Sequence, residues 1–208
     1  MRLRIGVALA IVIIAAAVLL AGPLSRGYQL SEILSGQAPL LPGGNRAAAG
    51  AADLTGRATL GADARPATFH VACDPAGTGL SAALTVPRVA EPGQGFDFAG
   101  LEGSGSEAPL TGILVSSAGS VRSVRMPAQG TTASGPDAGF TLTVTGGRRG
   151  DDPLRGIALA LTQPGTKLTW TQSSPRAGDP VLTATVTVAE ADAAALKSAL
   201  AGCLAAPF

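Results

Sequence analysis

From Ala67 onward the chain alternates apolar and polar side chains with a period of two. Phe69, Val71 and Cys73 fall opposite Thr68, His70 and Ala72, and Leu80, Ala82, Leu84 and Val86 fall opposite Ser81, Ala83 and Thr85, until Pro87 stops the run. This period marks strands with one buried and one wet face. Phe96 and Phe98 around Asp97 predict a short third strand, and Leu110 to Ser116 and Val121 to Met126 a less regular pair around Ala118-Gly119. The same pattern predicts strands at Phe140 to Val144, Ile157 to Leu161, Leu168 to Trp170 and, longest of all, Leu182 to Val188. After Thr187, which has capping-box spacing to Glu190, the period becomes helical: Ala193, Leu196, Leu200, Cys203 and Leu204 draw one stripe. Alternation, in place of continuous apolar runs, favours antiparallel pairing with a solvated face. The expectation for residues 67–208 is a mainly β domain, an antiparallel β-sandwich or open barrel closed by one C-terminal α-helix.

The chain begins differently. Arg2 and Arg4 precede an uncharged stretch, Ile5 to Ser25, that ends at Arg26. As a helix this stretch spans a hydrocarbon core of roughly 30 Å, and the positive-inside rule leaves its basic end in the cytoplasm. Residues 1–26 therefore read as a signal anchor or a signal peptide. Cleavage after Ala21 or Gly22 would put Leu19 or Leu20 at the −3 position, where a small residue is needed, and the apolar run exceeds the roughly 7–15 residues of a cleaved signal. A retained transmembrane helix is expected. Pro23 stands where a lipidated cysteine would follow Leu20-Ala21-Gly22, which argues against a lipoprotein. Residues 27–66, dense in Ala, Gly and Pro, read as a tether, with Leu54 to Leu60 a weak first strand. The expected location is a bacterial inner membrane, single-pass, with the domain in the periplasm, or a periplasmic or secreted form if the signal is cleaved.

Composition narrows the function classes. Setting aside Arg2 and Arg4, 13 basic side chains stand against 14 acidic ones, and aromatics make up only 3% of the chain. A nucleic-acid binder needs a basic face with aromatic platforms, so that class is set aside. Arginine greatly outnumbers lysine, which occurs only at Lys167 and Lys197, and 28 Gly and 15 Pro accompany it, a bias that fits a GC-rich bacterial genome.

Export gives the two cysteines meaning, because disulfides persist outside the reducing cytosol. Cys73 and Cys203 bracket nearly the whole β region, and both lie on the apolar side of their elements, so a disulfide between them is expected. Closing so long a loop is worth about 5 kcal/mol on the chain-entropy model. A CxxC spacing or neighbouring metal ligands, which a redox or metal pair would need, are absent.

Other motifs fail on context. Gly77-Thr78-Gly79-Leu80-Ser81-Ala82 fits GxGxxG/A, but a strand and not a helix follows it, so no helix N-terminus is offered to a pyrophosphate. Arg149-Gly150-Asp151 is a three-residue match within a charged hairpin tip with Asp152 and Arg155. No GxSxG elbow occurs. His70, the only histidine, would be the base of any hydrolase, yet the alternation makes it an outward strand residue. One His, two paired Cys and no acidic ladder assemble neither a transition-metal site nor a Ca²⁺ loop, and no cofactor is implied. Asp97 and Glu102 form a second, milder acidic spot.

One pattern stands out among the polar positions. Thr141, Thr143 and Thr145, then Thr169 and Thr171, then Thr183, Thr185 and Thr187 occupy the outward side of three regular strands. Threonine suits any exposed strand; such a run also makes an uncharged, hydroxyl-rich surface for glycan, wall polymer or a partner protein. The sequence thus reads as a non-enzymatic cell-envelope binding or structural module, held to the inner membrane by its N-terminal helix, with an envelope protein or glycan as partner. Two alternatives remain open: a periplasmic carrier of an apolar ligand such as a lipid, and a hydrolase using His70.

Overall fold

The computed structural model describes residues 50–74, 79–90, 95–102, 108–133, 139–147 and 152–205; the expected anchor at 1–26 lies outside them. Among the described residues no helix is long and apolar enough to cross a membrane. The strands are β1 (Ala51–Leu60), β2 (Asp63–Cys73), β3 (Leu80–Val86), β4 (Thr111–Ser117), β5 (Ser120–Met126), β6 (Gln129–Thr132), β7 (Phe140–Thr145), β8 (Lys167–Gln172) and β9 (Leu182–Thr187). All nine belong to one antiparallel sheet, in the order β5-β4-β8-β9-β1-β2-β3-β7-β6, curled into a half-barrel. The domain is mainly β, as the alternation predicts, but a single curled sheet replaces the two packed sheets of a sandwich. Three short helices, α1 (Arg155–Leu161), α2 (Glu190–Ala199) and α3 (Ala201–Leu204), complete the core on the inner face.

Small residues let the sheet curl. Trp170 on β8 and Phe69 on β2 bring their rings to 6.3 Å, centroid to centroid, although β9 and β1 lie between their strands. On a flat sheet three strand spacings of about 4.8 Å would hold them roughly 14 Å apart. The intervening inward positions are filled by Ala184 and Ala58, both fully buried, which leave room for the larger rings to meet. At Gly56 a Cβ would stand 2.4 Å from the Thr185 carbonyl oxygen, so the close approach of β9 to β1 requires glycine there. The β4–β5 hairpin turns on Ala118 and Gly119, both with positive φ (44° and 82°), the backbone of a tight turn whose twist matches that of its strands.

Several expectations are corrected. The weak strand expected at Leu54 to Leu60 is present and longer, β1, and with the start of β2 it occupies residues assigned to the 27–66 tether, so among the described residues the sheet already includes Ala51, sixteen residues before Ala67; β1 pairs with both β2 and β9 in the middle of the sheet. Its alternation rests on Ala52, Leu54, Ala58 and Leu60, where alanine and glycine dilute the signal. The segment Ile157 to Leu161 is not a strand but helix α1: its buried positions are Leu154, Ile157, Ala158 and Leu161, a helical stripe, while Leu159 is 52% exposed. Phe96 and Phe98 lead into a 3-10 turn, Ala99–Leu101, with no strand; their rings pack on each other, and Phe98 meets Phe140 edge-on at 4.8 Å. The terminal helix is two segments joined at Leu200, and Ala189, with no side-chain cap bond, starts it in place of a Thr187 capping box. Its stripe is buried as expected at Ala193, Leu196, Leu200 and Cys203.

Cys73 and Cys203 are joined in a disulfide, Cα to Cα 5.8 Å, which staples α3 to the end of β2. Two polar side chains brace the same end. Asp152, assigned to a charged hairpin tip, is buried; its carboxylate accepts the Leu80 and Leu154 N–H groups, each at 2.8 Å, tying α1 to the start of β3. Arg155 donates to the carbonyls of Cys203, Leu204 and Ala205 at 3.1, 2.9 and 3.1 Å. A cation on these final carbonyls satisfies groups that a helix end leaves bare.

Candidate functional site

The register shows where each threonine lies. Residues opposite one another in antiparallel strands share a face, so the pairs Thr169↔Thr185 and Thr171↔Thr183 make a compact block on β8 and β9, and Thr59 on β1 extends it opposite Thr183. Thr141 and Thr143 lie on the same outer face, but β1, β2 and β3 separate β7 from β9. The three strands singled out in the sequence therefore contribute two blocks on one curved surface. The gap is itself bridged: Thr131, Thr141, Thr85, Thr68 and Thr55 stand in register on β6, β7, β3, β2 and β1. Four of these five were not singled out, although Thr68 and Thr85 already occupied outward positions of the alternation.

This face is only partly self-satisfied. Thr85 and Thr141 share a hydroxyl–hydroxyl hydrogen bond of 3.0 Å, and Thr59 and Thr171 donate to the carbonyls of Thr183 and Gly112 at 3.3 and 3.2 Å. Thr143, Thr169, Thr183 and Thr185 remain partly exposed. The charged groups among them are Arg57 opposite Thr185, Lys167 opposite Thr187, Arg125 in the row of Thr171 and Thr183 across Gly112, and the pair Asp53–His70.

His70 donates its Nδ1–H to the Asp53 carboxylate at 2.7 Å across β1 and β2, with the two side chains 46% and 51% exposed. A polar pair so open to water is worth about 0–1 kcal/mol. Asp53 lies in the segment read as tether, which is why it was missed. A hydrolase needs, besides this carboxylate, a nucleophile on the other ring nitrogen; among the described residues no serine hydroxyl bonds to the ring, and the next side chain across the sheet is Ala83. Among the described residues no cluster of three or more His, Cys, Asp or Glu forms a metal site. Asp97 and Glu102 do not act together: Asp97 accepts the Gly100 N–H at 3.0 Å, and Glu102 accepts the Thr132 hydroxyl.

The β8–β9 connection is clamped to the 95–102 segment. Asp179 accepts from Arg176 Nε at 2.8 Å, from the Ser174 hydroxyl at 2.6 Å and from the Asp97 N–H at 3.2 Å. The Arg176 guanidinium, helped by Ser174, holds the Asp179 carboxyl below the usual carboxylate range, and Asp179 raises Arg176 in turn.

The inner face holds a different feature. Between the sheet and α1 lies a cavity of about 20 Å³ whose lining includes Phe69, Ile113, Ile157, Ala158, Leu161 and Trp170. Its surface is wholly apolar, and cavities of that kind stay dry. Trp170, the only tryptophan of the chain, is 1% exposed, and its indole N–H has no hydrogen-bond partner among the described residues. A buried donor left unpaired costs about 1–3 kcal/mol. On the far side of α1 an open groove of about 580 Å³ is lined by Ser117, Ser120, Arg122, Leu159 and Gln163, among others. Against family models, curated proteins and solved structures, the chain finds no match.

Proposed function

We propose that this protein is a non-enzymatic binding module of the bacterial cell envelope, tethered to the inner membrane by residues 1–26, with the threonine-rich outer face as its recognition surface. The observation that carries this reading is the row Thr131, Thr141, Thr85, Thr68 and Thr55 in register across five strands, continued by the Thr169–Thr185 and Thr171–Thr183 pairs. Hydroxyls repeated at the strand spacing of about 4.8 Å both donate and accept, and they carry no charge. Their complement is a polyhydroxylated, extended polymer, of which wall glycan is the one such an address would place nearby. Full-length protein should cosediment with purified wall sacculi, and Thr143→Glu with Thr185→Glu should abolish this; unaltered sedimentation of the double variant contradicts the reading. The anchor is tested separately. The full-mass chain should stay in the membrane fraction through high salt and carbonate, whereas a soluble form lacking the first 26 residues would remove the tether.

A second reading, a carrier of an apolar ligand, is favoured by one specific observation: the apolar cavity under α1. As it stands the cavity admits one methylene-sized group, so a chain can enter only as α1 separates from the sheet.

A further inference from the structure

We propose that the open edge of the sheet at β5 is a docking site for an acidic, extended segment of a partner protein, which joins the sheet as a further strand. This does not depend on the threonine reading, because it uses the backbone of one edge strand.

The two ends of the sheet differ. At one end β6 has four residues and the chain covers it: Glu102 bridges to Gly130 in parallel register, and its carboxylate accepts the Thr132 hydroxyl. At the other end β5 has seven residues, exposed at Ser120 to Ser123 and at Arg125, and among the described residues it pairs with β4 alone. Which of its backbone groups stay open follows from the register. The Ser173 N–H donates to the Leu110 carbonyl at 3.0 Å, so Gly112, Leu114 and Ser116 bond in turn toward β8. Ile113 and Val115, between them, bond toward β5 at Val124 and Arg122. Val121, Ser123 and Arg125 therefore turn their N–H and C=O groups away from β4. A row of such groups is a template for another strand.

The side chains define what kind of strand fits. Arg122 lies on the inner side of the edge and Arg125 on the outer; both are exposed and, among the described residues, neither has an ion-pair partner. Strands β4, β5, β8 and β9 contain no Asp or Glu. Edge charges repel a like-charged strand, and a second copy of β5 would bring two more arginines. The same charges attract carboxylates set at the spacing of Arg122 and Arg125. Apolar contact is available on both sides. Val121 is exposed on the outer side, diagonal to the exposed Leu114. On the inner side the exposed Leu159 of α1 lines, with Ser120, Arg122 and Gln163, an open groove of about 580 Å³ that can receive side chains of the added strand.

Full-length protein in detergent micelles would be titrated into a short fluorescein-labelled peptide of valine and threonine that carries two glutamates at the spacing of Arg122 and Arg125. Fluorescence anisotropy should show saturable binding, lost when lysines replace the glutamates. Affinity should fall roughly tenfold in Arg122→Gln with Arg125→Gln, as for two exposed ion pairs. Ser123→Pro removes one outward N–H and leaves the charge unchanged, and proline is tolerated on an edge strand where its missing N–H faces solvent. It should abolish binding while far-UV dichroism stays that of the wild type. The same peptide with every backbone nitrogen methylated should not bind either, which decides the matter if Ser123→Pro does not fold. Unchanged affinity in either case would mean charge attraction without strand pairing and would overturn the proposal, as would no binding of the parent peptide. A wild-type dimer that Ser123→Pro dissociates would make a second copy the occupant and overturn it equally.

Discussion

The two faces of the sheet are made by alternate residues of the same nine strands, yet they do different work. The inner face carries Leu54, Phe69, Leu84, Leu142 and Trp170, all within 2% of full burial, and α2 and α3 close over it under a disulfide. The outer face carries threonines whose hydroxyls meet water, one another or an occasional carbonyl. A side chain inside is fixed by everything it touches. One outside is held by little beyond the preference of a branched residue for a pleated strand, a preference worth at most about 1 kcal/mol. Threonine recurs at many of these positions, beside Ala83, the exposed Leu114 and Val121, and Arg125, and this recurrence is what the proposed binding role rests on.

The sharpest way to break this contrast is a charge placed inside. Leu200 is fully buried at the junction of α2 and α3, so Leu200→Asp forfeits about 1.5–3 kcal/mol of burial and adds desolvation; thermal melting should show an unfolded chain. Lys197→Asp, exposed one turn earlier, should cost no more than about 0.5 kcal/mol. If the two melt alike, the helices do not close the core. Next in size is the staple. Cys73→Ser should lower the urea-unfolding free energy by about 2–5 kcal/mol, and thiol labelling of the denatured, unreduced wild type should find no free cysteine. Gly56→Ala, whose new methyl would meet the Thr185 carbonyl at 2.4 Å, should cost about 1–3 kcal/mol as β9 is pushed from β1, with amide exchange accelerated at that seam.

A smaller effect belongs to the Arg176–Asp179 clamp. Asp179 is held below the ordinary carboxylate range in the folded state, so its contribution is present above that range and is lost as pH falls through the lowered folded value. Unfolding in urea across a pH series should lose this acid-side slope in Asp179→Asn, which should be the less stable protein at neutral pH; identical slopes in the two proteins would remove the clamp from the account.

What the sequence made legible divides along the same line. Strands β2, β3, β7, β8 and β9 could be read because bulky residues such as Phe69, Leu84 and Trp170 alternate with polar ones, and the cysteine pair because both members lie on apolar sides. Strand β1 was read only in part, as a weak strand over Leu54 to Leu60, because Ala52, Gly56 and Ala58, the small residues that let the sheet curl, dilute its alternation. Helix α1 was hidden because Ile157, Leu159 and Leu161 fit a period of two, while the small Ala158 concealed that the buried stripe was helical. The threonines were legible strand by strand, and so was a shared outer face. Their division into two blocks bridged by Thr55, Thr68, Thr85 and Thr131 was not, because strand order puts β7 beside β3 and far from β9, and order depends on long-range pairing that local pattern does not encode. The cavity under α1 was equally out of reach, since it arises where α1 meets the sheet.

The most direct test of the division between the faces is urea unfolding of Thr143→Glu with Thr185→Glu. The two sites lie on separate blocks of the outer face, and Thr185 stands opposite Arg57, so the new charges meet water or a cation. If the outer face is free of the fold, the double variant keeps its stability to within about 1 kcal/mol. A loss approaching that of Leu200→Asp would show that the threonines hold the sheet together, and the recognition surface would lose its basis.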